Sequence, residues 1–284
     1  MQKSSSLKLH FLSIFLVGFV NCSQSQTPSP KQAPAKYEFG TTPIWQDEFD
    51  YSGKPDPKKW SYDLGGNGWG NNELEDYTDK LENARVENGN LIIEARKEKS
   101  GKQNYSSARL VTKGKGDFLY GKFEIRAKLP QGRGTWPAIW MLFTDKSYGN
   151  KGWPDNGEID IMEHVGFDQN RIHGNIHTKA FNHVLKTNKG NDTLLTDAST
   201  KFHVYSCAWT PESVSIGMDG KEYFTFKKES GYTWKQWPFD KSFHLILNMA
   251  VGGNWGGQKG VDDSIFPQKM EVDYVRVYPL TEKK

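Results

Sequence analysis

Three acidic residues crowd into one short apolar segment of the chain. Glu158, Asp160 and Glu163 lie in the sequence NGEIDIMEH, among two isoleucines and a methionine. Neighbouring carboxyl groups cannot all ionise freely, so their pKa values separate, and one group can act as an acid while another acts as a base or nucleophile. A calcium loop would place glycine, asparagine and carbonyl groups between its ligands. The segment therefore predicts acid–base and nucleophilic chemistry, with an exposed acidic strand as the alternative.

The spacing decides which of these carboxylates can act together. In a regular β-strand Glu158 and Asp160 share one face, and Glu163 points to the other. A β-bulge around residues 161–162 would add one residue and return Glu163 to the same face. The Cα atoms of Glu158 and Glu163 would then lie roughly 13 Å apart, and leaning side chains would bring the carboxylates to roughly 5–6 Å. Retaining hydrolysis of a glycosidic bond needs about 5–5.5 Å, whereas inversion needs about 6.5–9.5 Å.

Several tryptophans near this segment stand beside glycines or polar residues. The flat C–H faces of sugars pack on such rings, so we expect four of them in a substrate cleft: Trp136, Trp140, Trp153 and Trp255. Three others are expected in the core: Trp45, Trp60 and Trp209. His173 and His177 would lie about 13 Å apart in a strand, too far to share a zinc ion. His177 is instead expected to donate a hydrogen bond to sugar or carboxylate.

β-Strands are the elements that must position these residues. From Ile44 onward apolar residues recur mainly with period two, in segments such as FEIRAKL, FHLILNMA and EVDYVRVY, and no long segment has a helical period. The pairs Asn88-Gly89 and Asp219-Gly220 predict two-residue hairpin turns. With 28 glycines among 284 residues, the chain predicts one all-β domain, a sandwich or jelly roll.

The charge of the chain is unevenly distributed. The formal net charge is +3, from 37 basic and 34 acidic residues. Residues 1–38 hold four lysines and one glutamate, so the remainder has 33 basic and 33 acidic residues. A neutral body does not favour a nucleic-acid partner.

The first residues resemble an export signal. Two lysines within residues 1–10 precede an apolar run over residues 11–20, which is too short to span a bilayer as a helix. Cys22 directly after this run resembles the lipobox of bacterial lipoproteins, although Asn21 stands where a smaller residue is usual. Cys207, the other cysteine, is expected to be a buried, inert thiol.

These features divide the chain into three parts. We predict a signal peptide with a lipobox over residues 1–22, a disordered Ser/Gln/Pro linker over residues 23–38 and a catalytic domain over residues 39–284. The protein is expected to be exported, as a surface or outer-membrane lipoprotein anchored through Cys22 or as a soluble secreted protein.

The segment EIDIME, with GTWPAIWML upstream and NMAVGGNWGG downstream, resembles glycoside hydrolase family 16 and, within it, the bacterial laminarinases, which are endo-β-1,3-glucanases. The resemblance covers roughly residues 44–278. It implies a concanavalin A-like β-jelly roll of two antiparallel sheets with a concave cleft. It also implies a retaining mechanism with Glu158 as nucleophile, Asp160 as assisting carboxylate and Glu163 as general acid/base.

The resemblance implies further site residues. Matching positions suggest seven cleft contacts: Asn71, Arg109, Trp136, Trp140, Trp153, His177 and Trp255. Catalysis is expected to need no cofactor, but the family often carries a structural calcium ion on the convex face, at positions that match Glu48, Gly89 and Asp273. The expected partner is a neutral β-glucan bound by a monomer. Mixed-linkage β-glucanase, β-agarase and a non-catalytic glucan-binding protein remain as alternatives.

Overall fold

The computed structural model describes residues 36–150 and 152–283. The predicted signal peptide and most of the predicted linker lie outside the described residues. In chain order the strands are β1 Tyr37–Phe39, β2 Trp45–Asp47, β3 Ser61–Tyr62, β4 Glu75–Tyr77, β5 Ala84–Glu87, β6 Asn90–Ser100, β7 Gln103–Ser107, β8 Arg109–Val111, β9 Asp117–Phe118, β10 Gly121–Lys128, β11 Thr135–Phe143, β12 Glu158–Glu163, β13 Arg171–His177, β14 Lys189–Leu194, β15 His203–Trp209, β16 Ser213–Met218, β17 Lys221–Lys227, β18 Phe243–Val251, β19 Gln268–Tyr278 and β20 Leu280–Glu282.

The strands form two large sheets and one small ribbon. The first sheet has the order β17-β16-β15-β10-β19-β6-β7-β4, with β2 paired to β19 and β5 paired to β6. The second has the order β14-β13-β12-β11-β18-β8-β3, with β9 paired to β18. The ribbon is β1 with β20. Within the described residues the only helix is a 3₁₀ turn over Asp263–Ile265. The described part of the chain thus holds no helix that is long and apolar enough to cross a membrane.

The core lies between the two large sheets, as the period-two pattern predicts. In β10 the buried and half-buried residues alternate along the whole strand. Phe123 and Ile125 of β10 and Leu245 and Leu247 of β18 belong to one hydrophobic cluster. Each sheet therefore turns one face inward, and the other face of the second sheet is left to form a surface.

Both predicted hairpin turns are confirmed. Asn88 and Gly89 join β5 to β6 with φ of 53° and 75°, and Asp219 and Gly220 join β16 to β17 with φ of 50° and 77°. Positive φ at both central residues is the type I′ geometry, whose twist matches that of the flanking strands.

The residues expected in the core are largely enclosed. Trp60 and Trp209 are buried, and Trp45 is partly buried against the same cluster. Cys207 is fully buried, and burial raises the pKa of its thiol, so the expectation of an inert group is confirmed.

The structure corrects two details of the sequence prediction. Strand β4 runs parallel to β7, whereas fully antiparallel sheets were expected. Tyr37 and Glu38, assigned to the linker, pair in β1 with β20, because backbone hydrogen bonding to the last strand orders them.

Candidate active site

The β-bulge predicted for β12 is present. Asp160 is opposite Asn175 of β13 and Glu163 is opposite His173, so three steps along β12 match two along β13. The pairing with β11 shifts at the same place. The extra residue puts both Ile161 and Met162 into the core. As a result Glu158, Asp160 and Glu163 all line the opposite face, where a cleft opens.

The cleft is built on the outward face of the second sheet. The floor of the cleft is formed by every second residue of β11, from Trp136 to Leu142. Ile139 and Met141, which lie between these residues, belong to the core. Strands β13 and β18 add His173, Asn175, His177, Asn248 and Ala250 with the same alternation. The volume is about 760 Å³. All seven predicted contact residues line it, together with the three carboxylates.

Burial governs the charge of the three carboxyl groups. The side chain of Glu158 is 16% exposed and that of Asp160 is 4% exposed. Desolvation, reinforced by neighbouring carboxylates, raises the pKa of Glu158 well above its usual range and raises the pKa of Glu163 to about 8. Burial also raises the pKa of Asp160 to about 8, and a hydrogen bond to Glu158 opposes that rise. The cluster can therefore hold protons near neutrality.

Protein contacts distinguish Glu158 from Glu163. His177 Nε2 lies 3.2 Å from Asp160 Oδ2 and 3.8 Å from Glu158 Oε1. The charge of His177 favours the ionised form of both glutamates, and a hydrogen bond from Trp153 acts in the same direction on Glu158. Trp136 Nε1 donates to Glu163 Oε1 at 3.1 Å. His177, expected to donate a hydrogen bond to sugar or carboxylate, thus lies close to Asp160, whose Oδ2 has no hydrogen-bond partner within the described residues.

Glu158, Asp160 and His177 also approach the spacing of a metal site. Their ligand atoms lie within 4.8 Å of one another, the one such group of three found in residues 36–150 and 152–283. A metal-binding histidine normally anchors its second ring nitrogen on a carboxylate or carbonyl. His177 Nδ1 is buried without a hydrogen-bond partner. The arrangement therefore favours proton chemistry over metal binding.

Aromatic rings form the walls of the cleft. Trp136 packs edge-on against Trp255 with ring centroids 5.6 Å apart, and His173 packs on Trp255 at 4.9 Å. Trp153 is 38% exposed and lies 5.1 Å from the ring of His183. Exposed ring faces beside acid groups are suited to the C–H faces of a sugar.

Arg109, one of the predicted cleft contacts, lines the cleft and is also engaged by protein groups. Its guanidinium lies between two indole rings, 4.7 Å from Trp69 and 4.8 Å from Trp140. Its Nε donates to Asp63 Oδ2 at 3.0 Å. Arg109 thus lines the cleft but is engaged mainly in holding the two tryptophans.

Several residues of the cleft were not predicted from the sequence, among them Trp69, Glu73, His183 and Asn248. Trp69 stands in GGNGWGNN, a glycine- and asparagine-rich setting like those of the four tryptophans that were selected. The same criterion could have found it. Asn248 lies in FHLILNMA, where one polar residue interrupts a strand that is otherwise nearly all apolar. Glu73 and His183 have no comparable signal.

The residues predicted to bind calcium lie away from this cleft. Strand β19 pairs with β2 through Val275–Val277 and with β6 through Gln268–Val272. Asp273 therefore faces the gap between these partners, where Glu48 follows β2 and Gly89 precedes β6. Glu48 accepts two hydrogen bonds from Arg276, at 2.8 and 2.7 Å, and Asp273 is paired with Arg126.

Comparison with known proteins agrees with this geometry. Residues 71–276 match the Glycosyl hydrolases family 16 sequence family. The chain is 54% identical over 277 residues to a beta-glucanase of Rhodothermus marinus. The alignment covers 96% of this chain and 94% of that protein.

Solved structures show the same fold. The crystal structure of the laminarinase from Rhodothermus marinus superposes with a TM-score of 0.84 at 55% identity, covering 87% of this chain and 99% of that one. SCLam, described as a non-specific endo-beta-1,3(4)-glucanase, superposes with a TM-score of 0.80 at 49% identity, covering 90% and 95%. The expected jelly roll is therefore confirmed. With a family match that spans most of the described sandwich and all three cleft carboxylates, the chain belongs to glycoside hydrolase family 16.

Proposed function

We propose that the protein is a retaining endo-β-1,3-glucanase that cleaves laminarin-type glucan. The observation that carries this proposal is the bulge of β12, which turns Glu158 and Glu163 to the same face of a tryptophan-lined cleft. Their positions opposite His177 and His173 correspond to Cα atoms about 13 Å apart, from which leaning side chains reach the separation of a retaining pair. The laminarinase of Rhodothermus marinus supports the choice of glucan.

In the first step the ionised carboxylate of Glu158 attacks the anomeric carbon and forms a glycosyl ester. The glycosidic C–O bond breaks, and Glu163 gives its proton to the departing oxygen. In the second step the Glu163 carboxylate takes a proton from water, the water oxygen attacks the anomeric carbon, and the bond to Glu158 breaks. Asp160, placed between them and beside His177, assists Glu158 by hydrogen bonding.

A mixed-linkage glucanase is the second candidate. It is favoured by the likeness to SCLam, a non-specific endo-beta-1,3(4)-glucanase. A non-catalytic glucan-binding protein is disfavoured, because it would need the tryptophans but not three buried carboxyl groups. β-Agarase is the remaining alternative among the enzymes.

The experiment is a product profile on laminarin, lichenan, agarose and κ-carrageenan. We expect reducing ends and short oligosaccharides from laminarin, with the new anomeric centre formed in the β configuration by early-time NMR. Preferred cleavage of lichenan would establish the second candidate. An α product would contradict retention, and binding without new reducing ends would indicate a non-catalytic protein.

We also propose that the protein acts as an exported monomer. Support for export comes from the apolar run before Cys22, which Lys3 and Lys8 precede. Metabolic labelling with a palmitate analogue, compared between the full chain and Cys22→Ala, tests the lipid anchor: label in both chains, or in neither, would contradict it.

A structural calcium ion remains a proposal. Support comes from the gap in the pairing of β19 at Asp273, between the ends of β2 and β6 next to which Glu48 and Gly89 stand, and from the preference of calcium for oxygen ligands. Both carboxylates are engaged by arginines, and the Arg276 guanidinium lowers the pKa of Glu48. An ion there would replace these partners and would link the early strand β2 to the last long strand β19.

A further inference from the structure

Two carboxyl groups outside the catalytic cluster are buried side by side at the edge of the cleft. Glu73 precedes β4 and is 7% exposed, while Glu75 begins β4 and is fully buried. Glu73 lines the cleft, and Glu75 lies behind it. Two adjacent carboxylates without water cannot both be charged, so the pair must hold a proton.

The hydrogen bonds indicate which oxygen carries that proton. Glu73 accepts from Asn71 Nδ2 at Oε1 and from Tyr77 OH at Oε2, both at 3.2 Å. Glu75 Oε2 accepts from the backbone N–H of Val251 at 2.6 Å, but its Oε1 is buried with no donor. A protonated Oε1 resolves this, because it can donate to Glu73.

The electrostatic surroundings agree with this assignment. Burial and the charge of Glu73 raise the pKa of Glu75 well above its usual range. Burial also raises the pKa of Glu73, but the bonds from Glu75, Asn71 and Tyr77 and the charge of Arg109 all oppose that rise. Glu73 is therefore the ionised member and Glu75 the neutral acid.

An oriented chain of hydrogen bonds runs from Glu73 to a cleft tryptophan. Tyr77 OH donates to Glu73 and accepts from Asn248 Nδ2 at 2.9 Å. Asn248 Oδ1 accepts from Trp140 Nε1 at 2.7 Å. Every donor in this chain points toward Glu73, so the charge of Glu73 sets the direction of all three bonds.

The far end of the chain is close to the chemistry. Trp140 is the residue of β11 opposite Asp160, beside the bulge. Its ring is held on its other side by Arg109. Glu73 therefore reaches the wall of the catalytic cleft through Tyr77 and Asn248, and reaches Asn71 directly.

We propose that Glu73, kept ionised by a proton on Glu75, is a positioning residue that holds Trp140 and Asn71 in the orientation that binds glucan. This inference rests on the proposed function, since it assigns these two side chains to a glucan cleft.

The test compares two isosteric substitutions. In Glu73→Gln one acceptor oxygen replaces two, although three donors converge there, so a donor is left unpaired. We expect the KM for laminarin to rise about tenfold, equivalent to about 1.4 kcal/mol, with kcat changed less than about threefold. In Glu75→Gln the amide N–H replaces the acid O–H and the amide oxygen accepts from Val251, so we expect KM to stay within about twofold of the parent enzyme.

The pH dependence of KM is the readout that a merely structural role would not change. The groups facing Glu73 are Glu75, Tyr77 and Arg109. Glu75 and Tyr77, whose pKa values are raised by burial, are already neutral and do not change charge as the solution is acidified. Protonation of Glu73 should therefore raise the KM of the parent enzyme at acid pH. In Glu73→Gln the KM should be high and independent of pH over that range.

Tyr77→Phe is the second variant, in case Glu73→Gln fails to fold. It interrupts the chain between Glu73 and Asn248, and we expect the same rise in KM. Equal effects of the two glutamine substitutions, or a loss of kcat at constant KM, would overturn the proposal. If the parent enzyme cleaves no glucan, the proposed function fails, and calorimetric titration of each variant with laminarin oligosaccharide still tests the positioning through Kd.

Discussion

At the scale of single residues, the chemistry of the cleft depends on which carboxyl groups carry a proton. Three carboxyl groups share a floor in which desolvation raises all their pKa values. The charge of His177 opposes that rise at both glutamates, as do hydrogen bonds from Trp153 to Glu158 and from Trp136 to Glu163. Glu163, whose pKa lies at about 8, can keep a proton at neutral pH.

Substitution of the nucleophile should separate binding from turnover. In Glu158→Ser we expect folding and laminarin binding to be retained and kcat to fall by a factor of at least about 10⁴, because no covalent intermediate can form. Calorimetry and reducing-sugar release measure the two effects. Appreciable residual hydrolysis would contradict the assignment of Glu158.

Loss of the acid should depend on the leaving group. In Glu163→Gln we expect about a 10²–10⁴-fold lower rate on laminarin, but a near-normal first step with aryl glycosides, whose departing phenolates need no proton. A burst of phenolate in stopped-flow measurements would show this step. A variant equally slow on both substrates would argue against Glu163 as the acid.

The alkaline limb of the pH profile should report Glu163. Its pKa is raised to about 8, so the proton is present below that pH and is lost as the pH rises through it. We therefore expect kcat/KM on laminarin to fall on the alkaline side of about 8. The Glu163→Gln variant, assayed on the aryl substrate, is the control and should lack this limb. Its persistence there would assign the limb to another group.

At the scale of elements, one extra residue in β12 determines the chemistry of the cleft. Regular pairing would leave Glu158 and Asp160 on the cleft face and would turn Glu163 toward the core. The bulge, with Ile161 and Met162 both inside, restores all three carboxyl groups to one face.

Deletion of Ile161 tests the bulge directly. The shortened segment EIDME would pair regularly and would still place all three carboxyl groups on the cleft face, so we expect activity on laminarin to stay within about tenfold while stability falls by a few kcal/mol from the loss of a buried isoleucine. Activity assays and denaturant unfolding measure both effects.

Gly220→Ala is the matched control for that deletion. Gly220 has φ of +77° in the β16–β17 turn, far along the chain from β12. We expect a loss of about 1 kcal/mol in stability with unchanged kcat. A folded deletion variant that has lost its activity would show that strand alternation alone does not place Glu163 correctly.

At the scale of the whole molecule, the sandwich joins both ends of the described chain. Strands β1 and β2 pair with β20 and β19, so the first and last strands stabilise each other. The proposed calcium site would lie at this junction, remote from the carboxylates of β12.

Chelation should therefore act on stability and leave chemistry intact. We expect EGTA to lower the Tm, since an ion bound only by the folded state stabilises that state, while the activity at room temperature is retained. Differential scanning calorimetry with and without added calcium measures the shift. The control is Glu48→Gln, whose Tm should no longer respond to calcium. An identical Tm of the parent protein in EGTA and in calcium would refute the site.

The features that could be predicted for this protein are those set by local sequence patterns. The period of two in Phe123–Leu129, the pairs Asn88-Gly89 and Asp219-Gly220, and the spacing of EIDIME all act between residues a few positions apart. Strand alternation, positive φ and a bulge follow from such neighbours. A local pattern of the same kind, glycine and polar neighbours, identified the four cleft tryptophans.

The sequence by itself determined an all-β chain with three catalytic-type carboxyl groups and aromatic rings suited to a neutral glucan. Only the tertiary structure decided what lies around them. Asn248 bonds Tyr77 across 171 positions and Trp140 across 108, and Arg109 lies between two tryptophans from different strands and loops. Such contacts depend on the order of strands in the sheets, because that order brings residues that are distant in sequence into contact. The proton shared by Glu73 and Glu75 has the same origin, because desolvation exists only once the sheets have packed.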